Sequence, residues 1–140
     1  MYAVYVAGAY SSGSVITLFD NMRKGMNLSH DILKAGYAPF VPWFDYHFSL
    51  ISNDMTIDDY YNYTLEWLSR ADAMILVPGY ENSVGTANEI DLAKELGIPI
   101  FNDIESLNKH FTRNGLTPKQ RENHRKMVED MTGRKLDRYP

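Results

Sequence analysis

Two short segments carry residue types from which a reaction site can be built. Asn82, Ser83 and Gly85 supply a side-chain amide, a hydroxyl and a backbone that a ligand can approach closely, and Glu89 follows on what reads as the first turn of the next helix. A carboxylate there is expected to be held as the anion by the helix dipole, the state in which it can act as a nucleophile. An acidic residue that only decorates a helix start fits the same spacing. Upstream, Ser11, Ser12, Gly13 and Ser14 offer hydroxyls and helix N-terminal amides, a combination that binds anions; an N-cap with a flexible turn has the same composition. Trp43, Phe44, Asp45, Tyr46 and His47 bring flat rings, a carboxylate and an imidazole. Stacking planes suit a flat heterocycle, and a hydrophobic lid with a surface histidine fits equally. His30, His110 and His124 have no metal-ligand spacing with acidic partners, so no metal is assigned.

The elements that must hold these groups alternate. Tyr2 to Ala7 is a β-favouring apolar run, and the small-residue turn from Gly8 to Ser14 leads into an amphipathic helix from about Val15 to Leu33 with Gly36 as its C-cap. Tyr37 to Val41 reads as a second strand closed by Pro42, and Trp43 to Asp54 as a loop over the sheet edge. Thr56 with Asp59 makes an N-cap box for a helix running to Arg70, and Asp72 stands at the helix-to-strand turn before a third strand, Ala73 to Pro78. The loop from Gly79 to Thr86 opens onto a helix ended by Gly97, and Ile98 to Phe101 makes a fourth strand. Strands alternating with helices imply right-handed crossovers: an α/β fold, a Rossmann-like three-layer sandwich with a mainly parallel sheet of four to five strands. In such a sheet ligands bind beyond the carboxyl ends of the strands, which brings both candidate loops to one crevice. The α/β domain is expected over 1–115, with a charged surface helix from about Pro118 to Met131 and a tail in 116–140.

Composition narrows the function classes. A chain of 140 residues fits one domain. Its net charge of −4 argues against a surface that neutralises many phosphates of a nucleic acid, and leaves room for one small anion. The absence of cysteine removes disulfides, a thiolate zinc site and a cysteine nucleophile. No stretch is long and apolar enough to span a bilayer, and the start lacks the basic region of a signal peptide, so a cytoplasmic protein without cofactor, nucleic-acid or membrane partner is expected.

Tyr5-Val6-Ala7-Gly8, Leu65-Glu66-Trp67-Leu68 before Ala71-Asp72, Asn82-Ser83-Val84-Gly85-Thr86 and Glu89-Ile90 with Ala93 one turn on carry a resemblance. In order and spacing they resemble the nucleoside 2-deoxyribosyltransferase superfamily, within it the 2'-deoxynucleoside 5'-phosphate N-hydrolases; Gly85-Thr86 and Glu89 are also similar to the phosphoribohydrolases that release cytokinin bases. The likeness runs from residue 1 to about Phe101. It implies that Glu89 is the nucleophile and that Tyr5 is the strand-borne tyrosine beside it. It also matches Ser83 to the serine with which the hydrolases hold the 5'-phosphate, where nucleoside-accepting transferases carry an aspartate. A hydroxyl can donate to a dianionic phosphate that a carboxylate would repel, so Ser83 favours a nucleotide.

Two positions depart from the pattern. The aspartate that precedes the family segment aligned with Leu65-Glu66-Trp67 is Thr64 here, which moves no proton at neutral pH. Asp58, Asp59 or Asp45 would have to reach in, or His47 or water assist the base, or catalysis be lost. The family completes its site from a neighbouring subunit's loop after the fourth strand, where Asn102, Ser106 and Asn108 stand, and a homodimer or higher homo-oligomer is expected on that ground. The expected reaction is a retaining hydrolysis of a (deoxy)nucleoside 5'-monophosphate. Glu89 attacks C1', Tyr5 positions it, Ser83 with Asn82, Gly85 and the Ser11, Ser12 and Ser14 loop hold the phosphate, and Trp43, Asp45 and His47 line the base pocket. The alternatives are base exchange between nucleosides, or a non-catalytic protein that binds or senses nucleotides, which Thr64 motivates. A nucleic-acid accessory role is disfavoured by the charge.

Overall fold

The apolar run at the start forms β1, Ala3–Ala7, the central strand of a computed structural model that describes residues 1–114 and 118–135. Strands β2, Ala38–Phe40, β3, Ala73–Leu76, and β4, Ile100–Phe101, join it in the order β2-β1-β3-β4, all parallel. The register pairs Tyr5 with Phe40 on one side and with Met74 on the other.

Side chains alternate across each strand, so β1 and β3 feed two cores. Val4, Val6, Ala73, Ile75 and Val77 face the first, with Met22 and Ile32 from α1, Val15–Lys34, and Leu107 and Phe111 from α5, Ile104–Asn114. Tyr5, Ala7, Met74 and Leu76 face the second, with Leu68 from α3, Ile57–Leu68, and Ala93 from α4, Val84–Glu95. Helices therefore cover both faces of the sheet, the three-layer α/β sandwich that the strand–helix alternation implied.

Local signals set the boundaries. Ser14 caps α1, and Gly36 at φ 98° ends it, with Tyr37 N–H donating to Ile32 O and Gly36 N–H to Leu33 O. Thr56 and Asp59 form the reciprocal capping box at the start of α3. Asp72 serves the turn before β3, its Oδ2 accepting the Ala3 N–H at 2.8 Å.

The structure corrects one expected loop and adds one helix. Residues read as irregular after β2 form a 3-10 turn, Pro42–Asp45, and a short helix α2, Tyr46–Ile51. Their aromatic residues hid the helical pattern because most of them face outward, whereas Trp43 is buried. Trp43 explains two glycines. A Cβ on Gly25 would lie 2.5 Å from its ring, and one on Gly8 would lie 2.7 Å from Val77 Cβ and 3.3 Å from the indole. Helix α5 was not foreseen, although Asp103 caps it and Leu107 and Phe111 stand one turn apart on its buried side. The charged helix near the C-terminus is α6, Pro118–Thr132. The expected boundary at 115–116, the His124 side chain and the tail at 136–140 fall outside the described part. No helix among the described residues is long and apolar enough to cross a membrane.

Candidate active site

The sheet order reverses between β1 and β3: the chain leaves β1 toward one edge and β3 toward the other, so the loops after them part and leave a crevice. A cavity of about 740 Å³ occupies this point. It is lined by the loop after β1, Gly8 to Ser12, by the loop after β3, Asn82 to Thr86, and by Glu89. Pro42, Trp43 and Asp45 also line it, as do Tyr60, Tyr61 and Thr64 of α3.

Glu89 is 8% exposed, and the wholly buried Tyr5 donates its hydroxyl hydrogen to Glu89 Oε1 at 2.7 Å. The helix that bears Glu89 begins at Val84, so the carboxylate sits in the second turn rather than the first. The expected influence of the helix dipole is overturned with it. That field fades within one turn. Removal from water dominates and raises the Glu89 carboxyl to about 7, while the Tyr5 hydroxyl works in the opposite direction. Tyr5 itself is driven far above the usual phenol range, by burial first and by the Glu89 charge second, with the Thr64 hydroxyl offsetting part of this. Tyr5 thus remains a donor at every physiological pH, and Glu89 is poised to change charge near neutrality.

Ser83 caps α4. Its Oγ accepts from Thr86 N–H at 3.2 Å and from Thr86 Oγ1 at 2.9 Å. With its lone pairs so engaged, what Ser83 has left to offer a ligand is its own hydroxyl hydrogen, a donor suited to an anion. The Gly85 carbonyl is held from the α3 side by the Tyr61 hydroxyl at 3.3 Å.

The other expected site residues divide. Ser11, Ser12, Asn82 and Gly85 line the cavity. Ser14 does not; it spends its Oγ on the Thr17 N–H at 3.5 Å as the α1 cap. Trp43 lines the cavity but is also a core residue, 1% exposed, its indole N–H donating to Ala9 O at 3.2 Å. Its ring is therefore fixed by packing more than presented for stacking. His47 is exposed, 3.0 Å from Phe44 O, and is not part of the cavity wall. Among the carboxylates considered as substitutes at Thr64, Asp59 is consumed by the capping box, which holds it below the usual carboxylate range, and Asp58 is exposed on the same turn. Asp45 reaches the cavity. Asn108 accepts from the Tyr37 hydroxyl at 2.7 Å, and the Ser106 N–H donates to Asp103 at 2.6 Å; neither borders the cavity of its own chain.

Sequence reasoning missed Tyr10, Asn21 and Tyr61 in the cavity wall. Asn21 donates to Tyr10 O at 3.3 Å, and the Tyr10 ring lies parallel to Trp43 at 6.4 Å. Tyr10 sits two residues past the conspicuous Gly8 and so was readable as part of the loop; Asn21 and Tyr61 lie on helices, where only the packed fold tells which side they face. Among the described residues no group of three or more His, Asp or Glu is arranged to hold a metal ion.

Residues 2–102 match the model of a family described as a domain of unknown function, DUF4406, and the chain belongs to that family. No curated protein matches it.

Proposed function

For this member of DUF4406 we propose hydrolysis of the N-glycosidic bond of a (deoxy)nucleoside 5'-monophosphate, with Glu89 as the attacking carboxylate. The observation that carries this reading is the buried Tyr5–Glu89 hydrogen bond at the edge of a cavity whose facing loop ends in the Ser83 donor. A carboxylate desolvated and pinned by one hydroxyl is a better nucleophile than a hydrated one, and it stabilises the cationic character that builds on C1' as the base departs. Ser83, Asn82 and the loop of Ser11 and Ser12 hold the phosphate, so that binding energy remote from C1' fixes its approach to Glu89. Cavity size agrees: about 740 Å³ lies within the range of small-molecule sites. The likeness of the Tyr5, Ser83 and Glu89 segments to the 2'-deoxynucleoside 5'-phosphate N-hydrolases supports the same choice. A cytoplasmic homodimer, with the partner subunit completing the site, belongs to this reading.

A second reading has one observation behind it. Thr64 sits against Tyr5 where that superfamily carries an aspartate, and a protein that binds nucleotides without cleaving them would tolerate this. Incubating the chain with nucleoside 5'-monophosphates and following free base by chromatography decides between them. Release of base, lost by at least about 10³-fold in Glu89→Gln, is the expected outcome; nucleotide binding with no base release would favour the second reading, and a new nucleoside formed on addition of an acceptor base would favour exchange.

A further inference from the structure

Departure of a nucleobase leaves an electron pair on a ring nitrogen, and a neutral leaving group requires a proton there. Thr64 cannot provide it, and Glu89 is occupied as the nucleophile. Among the described residues, one further carboxyl group lines the cavity, that of Asp45, at the end of the 3-10 turn Pro42–Asp45.

Its surroundings bear on its charge. The Tyr10 hydroxyl and the backbone N–H of Tyr46 stand beside the Asp45 carboxyl group, the N–H donating to Phe44 O. Tyr10 in turn is fixed through its carbonyl by Asn21 and lies along the ring of Trp43, which is anchored to Ala9. Half-burial raises the Asp45 carboxyl, while Tyr10 and Tyr46 stabilise the carboxylate that remains after the proton has left. These are the attributes of a general acid.

Resting on the glycosidase reading above, we propose that Asp45 is the proton donor to the leaving base, held in place by Tyr10. In the first step a Glu89 oxygen forms a bond to C1' while the bond from C1' to the base nitrogen breaks; that electron pair goes to the base, which takes the Asp45 proton. In the second step water attacks C1', the ester bond to Glu89 breaks, and the proton of the water returns to the Asp45 carboxylate. Nucleotide and water become base and sugar 5-phosphate, and both carboxyl groups are restored. The reaction uses the arrangement with the proton on Asp45 and the charge on Glu89, which positive charge at C1' favours.

A leaving group that needs no proton separates this role from a structural one. The 4-nitrophenyl glycoside of the same sugar 5-phosphate departs as a stable anion. With enzyme in excess, so that only transfer to Glu89 is read, Asp45→Asn should release base from nucleoside monophosphates about 10²- to 10⁴-fold more slowly than the unaltered chain. It should release nitrophenolate within about threefold of the unaltered chain, which also reports that the variant is folded; Tyr10→Phe should show the same split at smaller amplitude. Undiminished base release by Asp45→Asn, or equal loss on both substrates, overturns the assignment of the acid and leaves the Glu89 reading standing. An unaltered chain that releases base from no nucleotide overturns the Glu89 reading, and the acid with it.

Discussion

Helices α1 and α4 open with the same local device, a serine cap whose Oγ receives the N–H of a threonine three residues on, Ser14 with Thr17 and Ser83 with Thr86. Their surroundings differ. At α1 the cap bond is long, 3.5 Å, and Val15, Ile16 and Thr17 stand in solvent. At α4 the bond is 3.2 Å, Thr86 adds a second at 2.9 Å, and Thr86 is 1% exposed. Behind the second cap lies the strand that carries Tyr5, and one turn further along the helix is Glu89. One sequence signal thus makes a solvent-exposed helix start on one side of the cavity and, at Thr86, a buried one on the other. The buried start suits a fixed phosphate donor beside a desolvated charge, and the exposed loop suits a weaker, water-shared contact with the same phosphate.

The comparison predicts a graded set of losses. The largest belongs to Glu89→Gln, and its stability readout is independent of any substrate. Burial raises the Glu89 carboxyl from 4.5 to about 7, so the folded chain holds a proton there that the unfolded chain gives up. The stability this contributes is fully present below pH 4.5 and is lost as pH rises toward 7. Glu89→Gln removes that loss. Denaturant melts at a series of pH values should show the variant gaining on the unaltered chain between those limits, by at most roughly 3 kcal/mol, then running parallel above them. A constant offset across the range would mean that Glu89 is not desolvated.

Tyr5→Phe comes next. It leaves Glu89 buried without its donor, and loss of a hydrogen bond to a charged group, about 1.5–3 kcal/mol, should lower kcat for base release about 10- to 100-fold. Ser83→Ala should cost roughly 1 kcal/mol of stability through the lost cap and raise KM for nucleotides about tenfold, visible in thermal melts and steady-state kinetics. Ser83→Asp should go further, rejecting nucleotides while sparing nucleosides. Smallest is Ser12→Ala, on the exposed side, with a change in KM of about two- to fourfold and none in kcat. If Ser12→Ala outweighs Ser83→Ala, the two helix starts have been given each other's roles.

Much of this was legible in the residues themselves. The apolar runs at Tyr2 to Ala7 and Ala73 to Pro78 became β1 and β3, shorter at their ends, because strands buried on both faces are apolar without alternation. Ser14, Thr56, Gly36 and Gly97 marked helix ends because capping is local chemistry, whereas Ser83 was read inside the loop from Gly79 to Thr86, which set the start of α4 too late. Helix α5 escaped because Asn108, Lys109 and His110 dilute its apolar stripe, and α2 because Phe48, Leu50 and Ile51 stand exposed and give no one-sided pattern. At the site, Glu89, Ser83 and Asn82 were readable as a loop and helix start. The charge state of Glu89 was not, since its desolvation depends on β1 and α3 closing over it. His47 and Ser14 looked equivalent to neighbours that do reach the cavity, and only the path of Pro42–Asp45 and the turn into α1 tell them apart.

A covalent link between sugar and protein is the most direct consequence of the account. Mixing the chain with nucleoside 5'-monophosphates, quenching in acid during turnover and weighing the digested peptides should find the mass of one sugar phosphate on the peptide that contains Glu89, absent from Glu89→Gln. Base release at full rate with no such adduct, or with the adduct on another residue, would contradict it.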